Sequence, residues 1–541
     1  MPYSKIKNQY NITDLTIGYV LQKKSIQNRD KVFLHYLPDG RKYTYKDIHK
    51  LSNQLANGMI SQGLGLNSHV AIMMENCPEM ILSIFAIGKI GAVSIPINPS
   101  VRGDLLDYYL AQSDSVAIIL EAKYIEAILC LSSETLKRIG LFIVVEDGSS
   151  VSTHRDAHCS RFINYSDMLK ASEENPVVNI SFRDTAMIMY TSGTTGPSKG
   201  CLFNQVRTFL WGMSHSQALG YRFTDIFYLC MPLFHVSALQ GTVFNALTVD
   251  ASIVLQRKFS ASKFWKDVHN SGATIANMMG SMAHILWSRD KCKEDSDHSL
   301  RMCQVSPCPD FALDFEQRFK IRFVSGYGLT DYCSSHAFTL SDPVYKIGSA
   351  GRTRYGVEAR IVDEDDFDVP VNQPGELLLR NNNLWECGEG YYKMPEATII
   401  SNRNGWFHTG DIARIDEQGY MWFIGRSKDT IRRRGENISC FEVEKVIKKH
   451  PAILDIAAFP IHSKLGEDEV AIAIVLRSEF SLTEIEVIQF CQDKMAPFMI
   501  PRYICFVNDL PMTPSFKVKK YELRNKCENN SILIWDRDKI N

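Results

Sequence analysis

The sequence lacks the features that usually mark secreted, membrane-spanning and nucleic-acid-binding proteins. Its longest apolar run near the start, residues 80–88, is too short to cross a bilayer. Residues 1–11 are polar and contain no apolar stretch of the kind found in signal peptides. The formal net charge is −1, which does not indicate a nucleic-acid or anionic-membrane partner. We therefore expect a cytoplasmic protein with no transmembrane segment, whose partners are small molecules.

The chain also lacks cysteine pairs in the C-x-x-C spacing, although it contains 14 cysteines. In a long chain with no secretion signal, scattered cysteines are typical of reduced and mostly buried thiols. Cys333 and His336 have a spacing that could hold a metal ion, but two ligands do not make a zinc site. We interpret them as a core thiol and a solvated imidazole.

The sequence does contain a regular alternation of strand-like and helix-like segments. At 541 residues the chain is too long for a single core, and its 45% hydrophobic and 22% charged residues are typical of globular proteins. The alternation predicts βαβ units and largely parallel sheets. We predict a helix at 79–90 and strands at 69–74, 92–95, 116–120, 141–145, 186–190, 252–255, 321–324, 359–362 and 375–379.

A domain boundary is predicted near residue 425, after an apolar strand at 420–424. Beyond it the pattern predicts a small α+β unit, with helices at 442–450 and 483–495 and strands at 453–459 and 470–476. The predicted fold class is therefore α/β. A large N-terminal domain of βαβ-containing sheets, residues 1–425, is joined by a hinge to a small α+β C-terminal domain, residues 426–541.

A turn rich in glycine and hydroxyls, Tyr190-Thr-Ser-Gly-Thr-Thr-Gly-Pro-Ser-Lys-Gly200, follows the buried strand at 186–190. Glycines let backbone N–H groups point inward, hydroxyls add donors and lysine adds positive charge, so the turn is suited to phosphate. Its spacing differs from the common P-loop, and taken alone it could be a flexible surface turn. The candidate phosphate ligands are Thr191, Ser192, Gly193, Thr194, Thr195, Gly196 and Lys199.

The full string resembles the phosphate-loop signature of the AMP-forming adenylate superfamily. This superfamily includes acyl-CoA ligases, luciferases and the adenylation domains of peptide synthetases. Four further motifs that resemble those of the family follow in order, so the likeness spans residues 190–517. The resemblance implies ATP, Mg2+ and coenzyme A as cofactors or co-substrates and a small carboxylic acid as substrate. It also implies that Thr191 is catalytic as well as a ligand.

The second motif is Ser325-Gly-Tyr-Gly-Leu-Thr-Asp331, which follows the strand predicted at 321–324 and therefore lies at the carboxyl end of a strand, where α/β sheets bind ligands. The family pattern is Tyr-Gly-x-Thr-Glu, so the resemblance assigns Tyr327, Gly328 and Thr330 to the nucleotide. Asp331 stands where the family has a magnesium-binding Glu. It keeps the charge of an oxygen ligand but is one methylene shorter. Taken without the family, a turn with a solvated aspartate fits equally well.

The third motif is Trp406-Phe-His-Thr-Gly-Asp411. A carboxylate after a glycine turn can accept two hydrogen bonds from a ribose diol. Taken alone, Asp411 would more simply cap a turn. The family has Thr-Gly-Asp here, and the resemblance implies that Asp411 contacts the ribose.

The fourth motif is Gly425-Arg-Ser-Lys-Asp-Thr-Ile-Arg-Arg-Arg-Gly-Glu-Asn-Ile438, which is similar to the hinge motif of the family. By resemblance, Arg426 approaches the phosphates and ribose of the nucleotide, and Lys428 is the hinge. Gly435 would let the backbone pass close to the pantetheine arm of coenzyme A. The arginines at 432–434 could attract the phosphates of that molecule, or they could form a solvated face.

The fifth motif, Leu510-Pro-Met-Thr-Pro-Ser-Phe-Lys517, resembles the family's Pro-x-Thr-x-Ser-Gly-Lys, whose lysine is required for adenylation. The resemblance makes Lys517 both catalytic and nucleotide-binding. Phe516 replaces Gly and would be strained if that position needs a positive φ. Met231-Pro-Leu-Phe-His235 matches the segment that lines the acyl side, with His235 as a catalytic gate or, alternatively, a core histidine.

A further departure is Val305-Ser-Pro-Cys-Pro309, which stands where the family usually has a Gly-Gly-Ala-like turn beside adenine. Proline removes a donor and fixes φ, so the backbone contacts to the base must differ. This stretch, residues 433–439 and the general layout are most similar to the bacterial crotonobetaine/carnitine–CoA ligase group.

The resemblance implies an AMP-forming carboxylate–CoA ligase, which makes an acyl-adenylate from ATP and an acid and then transfers the acyl group to coenzyme A. In the family the small domain rotates between these steps, so that Lys517 serves the first and the Gly435 region the second. Two alternatives remain open: an adenylation protein that loads a carrier protein, and a non-catalytic nucleotide-binding relative. The residues leave open whether the acid is carnitine-like, medium-chain or aromatic.

Overall fold

The structure is a computed structural model. It describes residues 10–146, 161–191, 197–426, 430–463, 466–511, 518–529 and 531–539. None of the helices within these ranges combines the length and the apolarity that crossing a bilayer requires.

The chain divides into two compact units. The first consists of Met1–Pro99, Leu110–Met189 and Gly200–Ile424, and the second of Ser100–Tyr109, Tyr190–Lys199 and Gly425–Asn541. The second unit therefore includes two stretches from the first half of the chain, which a single linear boundary does not anticipate. The domain limits 1–425 and 426–541 stay a prediction.

A seven-stranded sheet lies in the N-terminal half of the chain. Its strands are, in spatial order, β7 (Arg161–Asn164), β6 (Leu141–Val145), β5 (Ala117–Glu121), β3 (His69–Met73), β4 (Val93–Pro96), β8 (Thr185–Thr191) and β9 (Lys199–Asn204). The pairs from β7 through β8 are parallel. Parallel strands are covered on both faces, which explains why β5 is buried at all five positions and apolar at four of them.

A nine-stranded sheet carries the second motif, residues 325–331, which begins on its strand β14 (Phe323–Gly328). Its strands are, in spatial order, β2 (Lys42–Thr44), β1 (Val32–Tyr36), β11 (Ser252–Leu255), β10 (Ile226–Leu229), β12 (Ile275–Met279), β13 (Met302–Ser306), β14 (Phe323–Gly328), β15 (Ser334–Phe338) and β16 (Arg352–Thr353). In this spatial order, the six strands that begin with β1 and end with β14 are parallel to one another. The strands at the two edges, β2 on one side and β15 and β16 on the other, pair antiparallel.

Three smaller sheets also lie within the described ranges. One contains β17 (Val357–Val362), β18 (Gly375–Asn381), β19 (Phe407–Ile415) and β20 (Met421–Arg426). A hairpin contains β21 (Thr430–Arg433) and β22 (Glu436–Ser439). The last contains β23 (Ile453–His462), β24 (Asp468–Leu476), β25 (Tyr503–Phe506) and β26 (Trp535–Asp536).

Seventeen α-helices lie within the described ranges. They are α1 (Ile17–Gln27), α2 (Tyr45–Ser61), α3 (Pro78–Lys89), α4 (Gly103–Gln112), α5 (Ile125–Leu129), α6 (Ser133–Arg138), α7 (Tyr165–Met168), α8 (Gln205–Leu219), α9 (Val236–Ala238), α10 (Asn245–Thr248), α11 (Phe264–Ser271), α12 (Gly280–Trp287), α13 (Ala312–Phe319), α14 (Pro395–Ser401), α15 (Cys440–Ile447), α16 (Glu484–Gln492) and α17 (Lys520–Glu528). A π-helix, Leu239–Phe244, joins α9 to α10.

Local sequence explains where several helices begin. Thr44 and Asp47 form a reciprocal capping box at the start of α2, and Thr483 and Glu486 do the same at α16. Pro78 occupies the first position of α3, where a missing N–H costs nothing. The α/β fold class predicted from the alternation of segments is confirmed, with large mixed sheets followed by a smaller C-terminal part.

Two local interpretations are wrong. The alternative interpretation of residues 325–331 as a glycine-containing turn does not hold for Tyr327 and Gly328, which are extended strand, since β14 continues to Gly328 and Tyr327 pairs with His336 of β15. The solvated imidazole expected at His336 is buried, and burial lowers its pKa to about 3. Cys333 is buried as expected.

The glycines of this motif serve close packing of strands. A Cβ on Gly326 would lie 2.8 Å from the carbonyl oxygen of His336, and one on Gly328 would lie 2.8 Å from the Cα of Ser334. Backbone atoms cannot withdraw as a flexible side chain can, so both positions require glycine for β14 to approach β15.

Candidate active site

Two predicted nucleotide-binding residues that are far apart in sequence are hydrogen-bonded in the first unit. The Tyr327 hydroxyl donates to Oδ2 of Asp411 at 2.5 Å. Tyr327 is half-buried on β14, and Asp411 is only 2% exposed on β19. The ring of Tyr327 also lies 6.4 Å from that of Phe423 in a stacked arrangement. An aromatic face and a buried carboxylate therefore lie side by side.

A bulged strand pair holds Asp411. The pairing of β18 with β19 shifts register between Glu376 and Leu378. Gly410 has a φ of +70°, which favours glycine, and its N–H donates to Oε1 of Glu376 at 2.9 Å. The Asp411 N–H donates to the hydroxyl of Thr409 at 3.1 Å. Local hydrogen bonds thus hold the backbone that carries the carboxylate of Asp411.

The predicted magnesium ligand, Asp331, lies in the turn between β14 and β15 and is half-buried. Its Oδ2 accepts a hydrogen bond from the Tyr391 hydroxyl at 2.7 Å. Burial and the negative charge of Asp331 raise the pKa of Tyr391 above its ordinary value. The Tyr391 hydroxyl therefore orients the carboxylate of Asp331.

Asp331 fits magnesium only together with other ligands. Within the described ranges, no group of three or more His, Cys, Asp or Glu side chains could hold a metal ion. Mg2+ usually binds through one or two carboxylates plus substrate phosphates rather than in an all-protein cage. A single oriented aspartate is compatible with that mode of binding.

Arg207, which the sequence analysis did not identify, holds the turn that carries Thr330 and Asp331. It is fully buried on α8, and its Nη2 donates to the carbonyl oxygens of Thr330 at 2.8 Å and of Tyr332 at 2.6 Å. Its guanidinium lies 3.7 Å from the ring centroid of Phe203. The sequence feature that could have indicated this role is the position of an arginine among mainly apolar residues of α8.

The stretch predicted near adenine lies at the end of β13. Ser306 is its last strand residue, and its hydroxyl lies 3.4 Å from the Gly326 carbonyl oxygen, at the limit of a hydrogen bond. Gly280 at the start of α12 packs against Pro307, the residue after Ser306. A Cβ on Gly280 would lie 2.7 Å from the carbonyl oxygen of Pro307. The proline-containing turn is therefore accommodated by a glycine on the neighbouring element.

His235 is half-buried and precedes α9 as its N-cap. Its carbonyl oxygen accepts the N–H groups of Ala238 and Leu239, and its ring lies 4.6 Å from that of Phe234. The π-helix follows immediately, and such segments are frequent at functional sites. The role of His235 at the acyl side stays a prediction.

The predicted phosphate loop is described only at its ends. Thr191 is the last residue of β8, and Lys199 is the first of β9; both are half-buried. Ser192, Gly193, Thr194, Thr195 and Gly196 lie outside the described residues, so their assignment as phosphate ligands stays a prediction.

The predicted coenzyme A segment forms the β21–β22 hairpin of the second unit. Gly435 in its turn has a φ of +80°, and its N–H donates to Oε2 of Glu467 at 3.1 Å. Arg426 ends β20, while Lys428 lies outside the described residues. Lys517 and Phe516 also lie outside them, so the roles of both lysines stay predictions.

Arg433 does not form part of a solvated arginine cluster. It is 2% exposed, its Nε lies 2.5 Å from Oε2 of Glu469, and its Nη1 donates to the carbonyl oxygens of Phe498 and Ile500. The reason is strand alternation, which turns the middle of the three arginines into the core of the second unit. The expectation that all three could attract coenzyme A is corrected for this residue.

The chain matches two family models. Residues 21–392 match the AMP-binding enzyme model, and residues 442–517 match the AMP-binding enzyme C-terminal domain. Among curated proteins, the crotonobetaine/carnitine–CoA ligase of Salmonella heidelberg is 30% identical over 493 residues, which cover 90% of this chain and 93% of that protein. The enzyme of the same name from Citrobacter koseri is 29% identical over 498 residues, with the same coverage.

Solved structures show the same fold. The o-succinylbenzoate CoA synthetase of Bacillus subtilis superposes with a TM-score of 0.81 at 21% identity, covering 96% of this chain and 99% of that one. The anthranilate CoA ligase AuaEII superposes with a TM-score of 0.72 at 22% identity, covering 98% and 100%. The chain therefore belongs to the AMP-binding enzyme family, and its relatives there are acid–CoA ligases.

Proposed function

We propose that this chain is an AMP-forming carboxylate–CoA ligase. It condenses a small carboxylic acid with ATP to give an acyl-adenylate and pyrophosphate, and it then transfers the acyl group to the thiol of coenzyme A with release of AMP. Membership of the AMP-binding enzyme family and the names of the curated relatives support this activity. ATP and coenzyme A are both present in the cytoplasm, and we propose that the protein is located there.

The Tyr327–Asp411 hydrogen bond is the single observation that carries the proposal. A nucleoside presents a flat base and a ribose diol a few ångströms apart. An aromatic ring suits the base, and a buried carboxylate accepts the diol hydroxyls. The two residues come from separate motifs, 84 positions apart, so their meeting is not a consequence of local sequence.

The first step needs positive charge because a carboxylate attacks an anionic α-phosphorus. We assign Thr191, Ser192, Gly193, Thr194, Thr195, Gly196 and Lys199 to the phosphates, with Gly328, Thr330 and Arg426 as further nucleotide ligands. Lys517 would stabilise the oxygens that gain charge when the bond to pyrophosphate breaks. Asp331 would hold Mg2+, which supplies charge neutralisation at the phosphates when bound.

The second step breaks the acyl–phosphate bond of the adenylate. The coenzyme A thiol loses its proton, its sulfur bonds to the acyl carbon, and AMP leaves with the bonding electron pair. We assign the backbone at Gly435 to the pantetheine arm, because glycine has no side chain to obstruct a close approach and readily adopts the positive φ found here. His235 is proposed to gate the acyl side between the two steps.

The test is pyrophosphate release from ATP with a panel of acids, measured with and without coenzyme A. The panel contains crotonobetaine and carnitine, which the names of the curated relatives specify, together with medium-chain and aromatic acids. We expect one class of acid to give release and, with coenzyme A present, stoichiometric thioester. ATP binding without release for any acid would contradict the proposal. Pyrophosphate release without formation of a coenzyme A thioester would instead favour the thiol of a carrier protein as the acyl acceptor.

A further inference from the structure

The residue immediately before Lys199 is held by a carboxylate from a distant part of the chain. Ser198 is fully buried, and both its N–H and its hydroxyl donate to Oε1 of Glu442, at 2.9 Å and 2.5 Å. Glu442 is 8% exposed and lies on α15. Both residues belong to the second unit. No motif considered above assigns a role to either side chain.

Two tyrosines complete the enclosure of Ser198. The Tyr108 hydroxyl donates to the Ser198 carbonyl oxygen at 2.8 Å, and the Tyr109 hydroxyl lies 3.1 Å from the Ser198 hydroxyl oxygen. Tyr190 stacks on Tyr109 at 4.2 Å and donates to its carbonyl oxygen at 3.0 Å. Ser198 makes hydrogen bonds through its N–H, its carbonyl oxygen and its hydroxyl. These hydrogen bonds together fix the position of its backbone.

The carboxylate of Glu442 is costly to bury. Burial raises its pKa, while the two hydrogen bonds from Ser198 and the positive charge of Lys445 act in the opposite direction. Because burial has the larger effect, the carboxylate is retained at a cost in stability, which suggests a role other than folding. It also places negative potential beside the loop to which the phosphates of ATP are assigned, and that potential disfavours a polyphosphate.

We propose that Glu442 is a positioning residue that fixes the end of the phosphate loop, and with it Lys199, for the thiol-transfer step. The inference rests on the proposed ligase function. Glu442 follows the Gly435 hairpin, which is assigned to coenzyme A, so the contact joins the loop to the coenzyme A segment. The contact between Glu442 and Ser198 is compatible with binding of the adenylate, which has a single phosphate. The carboxylate repels the larger negative charge of a triphosphate or of pyrophosphate. The contact therefore forms after pyrophosphate has left.

The half-reactions are measured separately in wild type, Glu442→Ala and Glu442→Gln. Adenylation is followed as pyrophosphate release from ATP and acid, and thiol transfer as single-turnover thioester formation from acyl-adenylate and coenzyme A. We expect Glu442→Ala to slow thiol transfer ~10-fold or more, because an anchored group is released, and to change adenylation by less than ~3-fold. Glu442→Gln keeps an acceptor but loses the charge. It should retain most of the transfer rate and bind ATP more tightly.

Glu444→Gln is the matched control, since it neutralises a carboxylate on the same helix. Oε1 of Glu444 instead accepts the Ala458 N–H and pairs with Lys520, both at 2.8 Å. Its half-reactions should change together or not at all. A purely structural role for Glu442 would likewise lower both half-reactions in parallel with the melting temperature, and that result would overturn the proposal.

Hydrogen exchange at the Ser198 amide is a readout that does not depend on activity. Protection should be present in wild type and in Glu442→Gln and lost in Glu442→Ala. Unchanged exchange in Glu442→Ala would overturn the anchoring. If wild type released no pyrophosphate with any acid, the ligase function itself would fail. An active wild type with an unaltered ratio of half-reactions in Glu442→Ala would refute the positioning role alone.

Discussion

Asp331, the proposed magnesium ligand, has a shorter side chain than the glutamate of the family pattern. Its carboxylate is oriented by the Tyr391 hydroxyl. The neighbouring backbone is held by the buried Arg207. A short ligand can serve a metal when its position is fixed, because little entropy is then lost on binding.

We expect Asp331→Ala to lower the rate of pyrophosphate release at limiting Mg2+ by ~100-fold or more, because charge stabilisation at the phosphates is lost. Tyr391→Phe should have a smaller effect, ~10-fold, that excess Mg2+ partly rescues, since only the orientation of the carboxylate suffers. The exposed Asp365 provides the control variant Asp365→Ala. Activity of Asp331→Ala within a few-fold of wild type would remove Asp331 from the magnesium site.

Asp416 predicts a pH dependence of stability. It pairs with Lys346 at 2.7 Å and accepts the indole N–H of Trp422 at 3.0 Å. Burial alone would raise the pKa of Asp416, but these hydrogen bonds lower it from 3.8 to about 2. A lowered pKa stabilises the fold above the unfolded value, and this contribution is lost as the pH falls through the folded value.

Asp416→Asn should therefore reduce the free energy of unfolding by about 2 kcal/mol at pH 7, since each unit of pKa corresponds to about 1.4 kcal/mol. The difference from wild type should shrink as the pH is lowered from about 4 towards 2. Urea unfolding at a series of pH values measures it, with Asp365→Asn as the control. A difference that is constant across this range would mean that Asp416 does not titrate as described.

At the scale of elements, the pairing of β14 with β15 determines the position of Tyr327, the tyrosine that is proposed to bind the nucleotide. Taken without the family, the glycines on either side of Tyr327 are equally compatible with a turn. The structure uses the same glycines to bring two strands into close contact, with Gly328 against the backbone of Ser334. Glycine is compatible with both uses, and only the presence of β15 decides between them.

Gly328→Ala should push β14 away from β15 and displace Tyr327 from Asp411. We expect a loss of stability of ~1–3 kcal/mol and a raised KM for ATP, because backbone atoms must move to admit the methyl group. Gly140→Ala is the matched control, since its Cβ would meet nothing within 4 Å. An unchanged KM in Gly328→Ala would show that the Tyr327–Asp411 geometry does not depend on this contact.

At the scale of the whole molecule, the proposed cycle uses different residues in its two half-reactions. Lys517 is assigned to adenylation, and the Gly435 segment and Glu442 are assigned to thiol transfer. Lys428 is predicted to be the pivot between them. A pivot must change φ and ψ, and proline locks φ near about −65° while restricting the residue before it.

Lys428→Pro should therefore retain acyl-adenylate formation and lose most thioester formation, whereas Lys517→Ala should show the reverse. The first half-reaction is measured with ATP and acid, and the second with pre-formed acyl-adenylate and coenzyme A. Equal retention of both rates in Lys428→Pro would place the pivot elsewhere. An equal loss of both in Lys517→Ala would make that lysine structural.

The family and the α/β class were predictable because they depend on local patterns. Apolar runs at strand length, helices with capping residues and five ordered motifs are all legible along the chain, and the family assignment from those motifs is confirmed. Helix and strand positions such as α3, β6 and β11 agreed with prediction to within one or two residues. These elements are fixed by periodicity and by burial of their own side chains.

What the sequence by itself determined is therefore the order of elements, the family and the residue types available for phosphate, base and metal. Only the tertiary structure decided which of those residues meet. In the folded chain Tyr327 is hydrogen-bonded to Asp411, and Arg433 is buried in a core. Three further residues that no motif indicates hold the predicted site residues or their neighbours by hydrogen bonds: Arg207, Tyr391 and Glu442. The physical reason is that hydrogen bonds and ion pairs between distant segments depend on how sheets pack and register. A buried polar group must find a partner, but the sequence around it does not say where that partner lies.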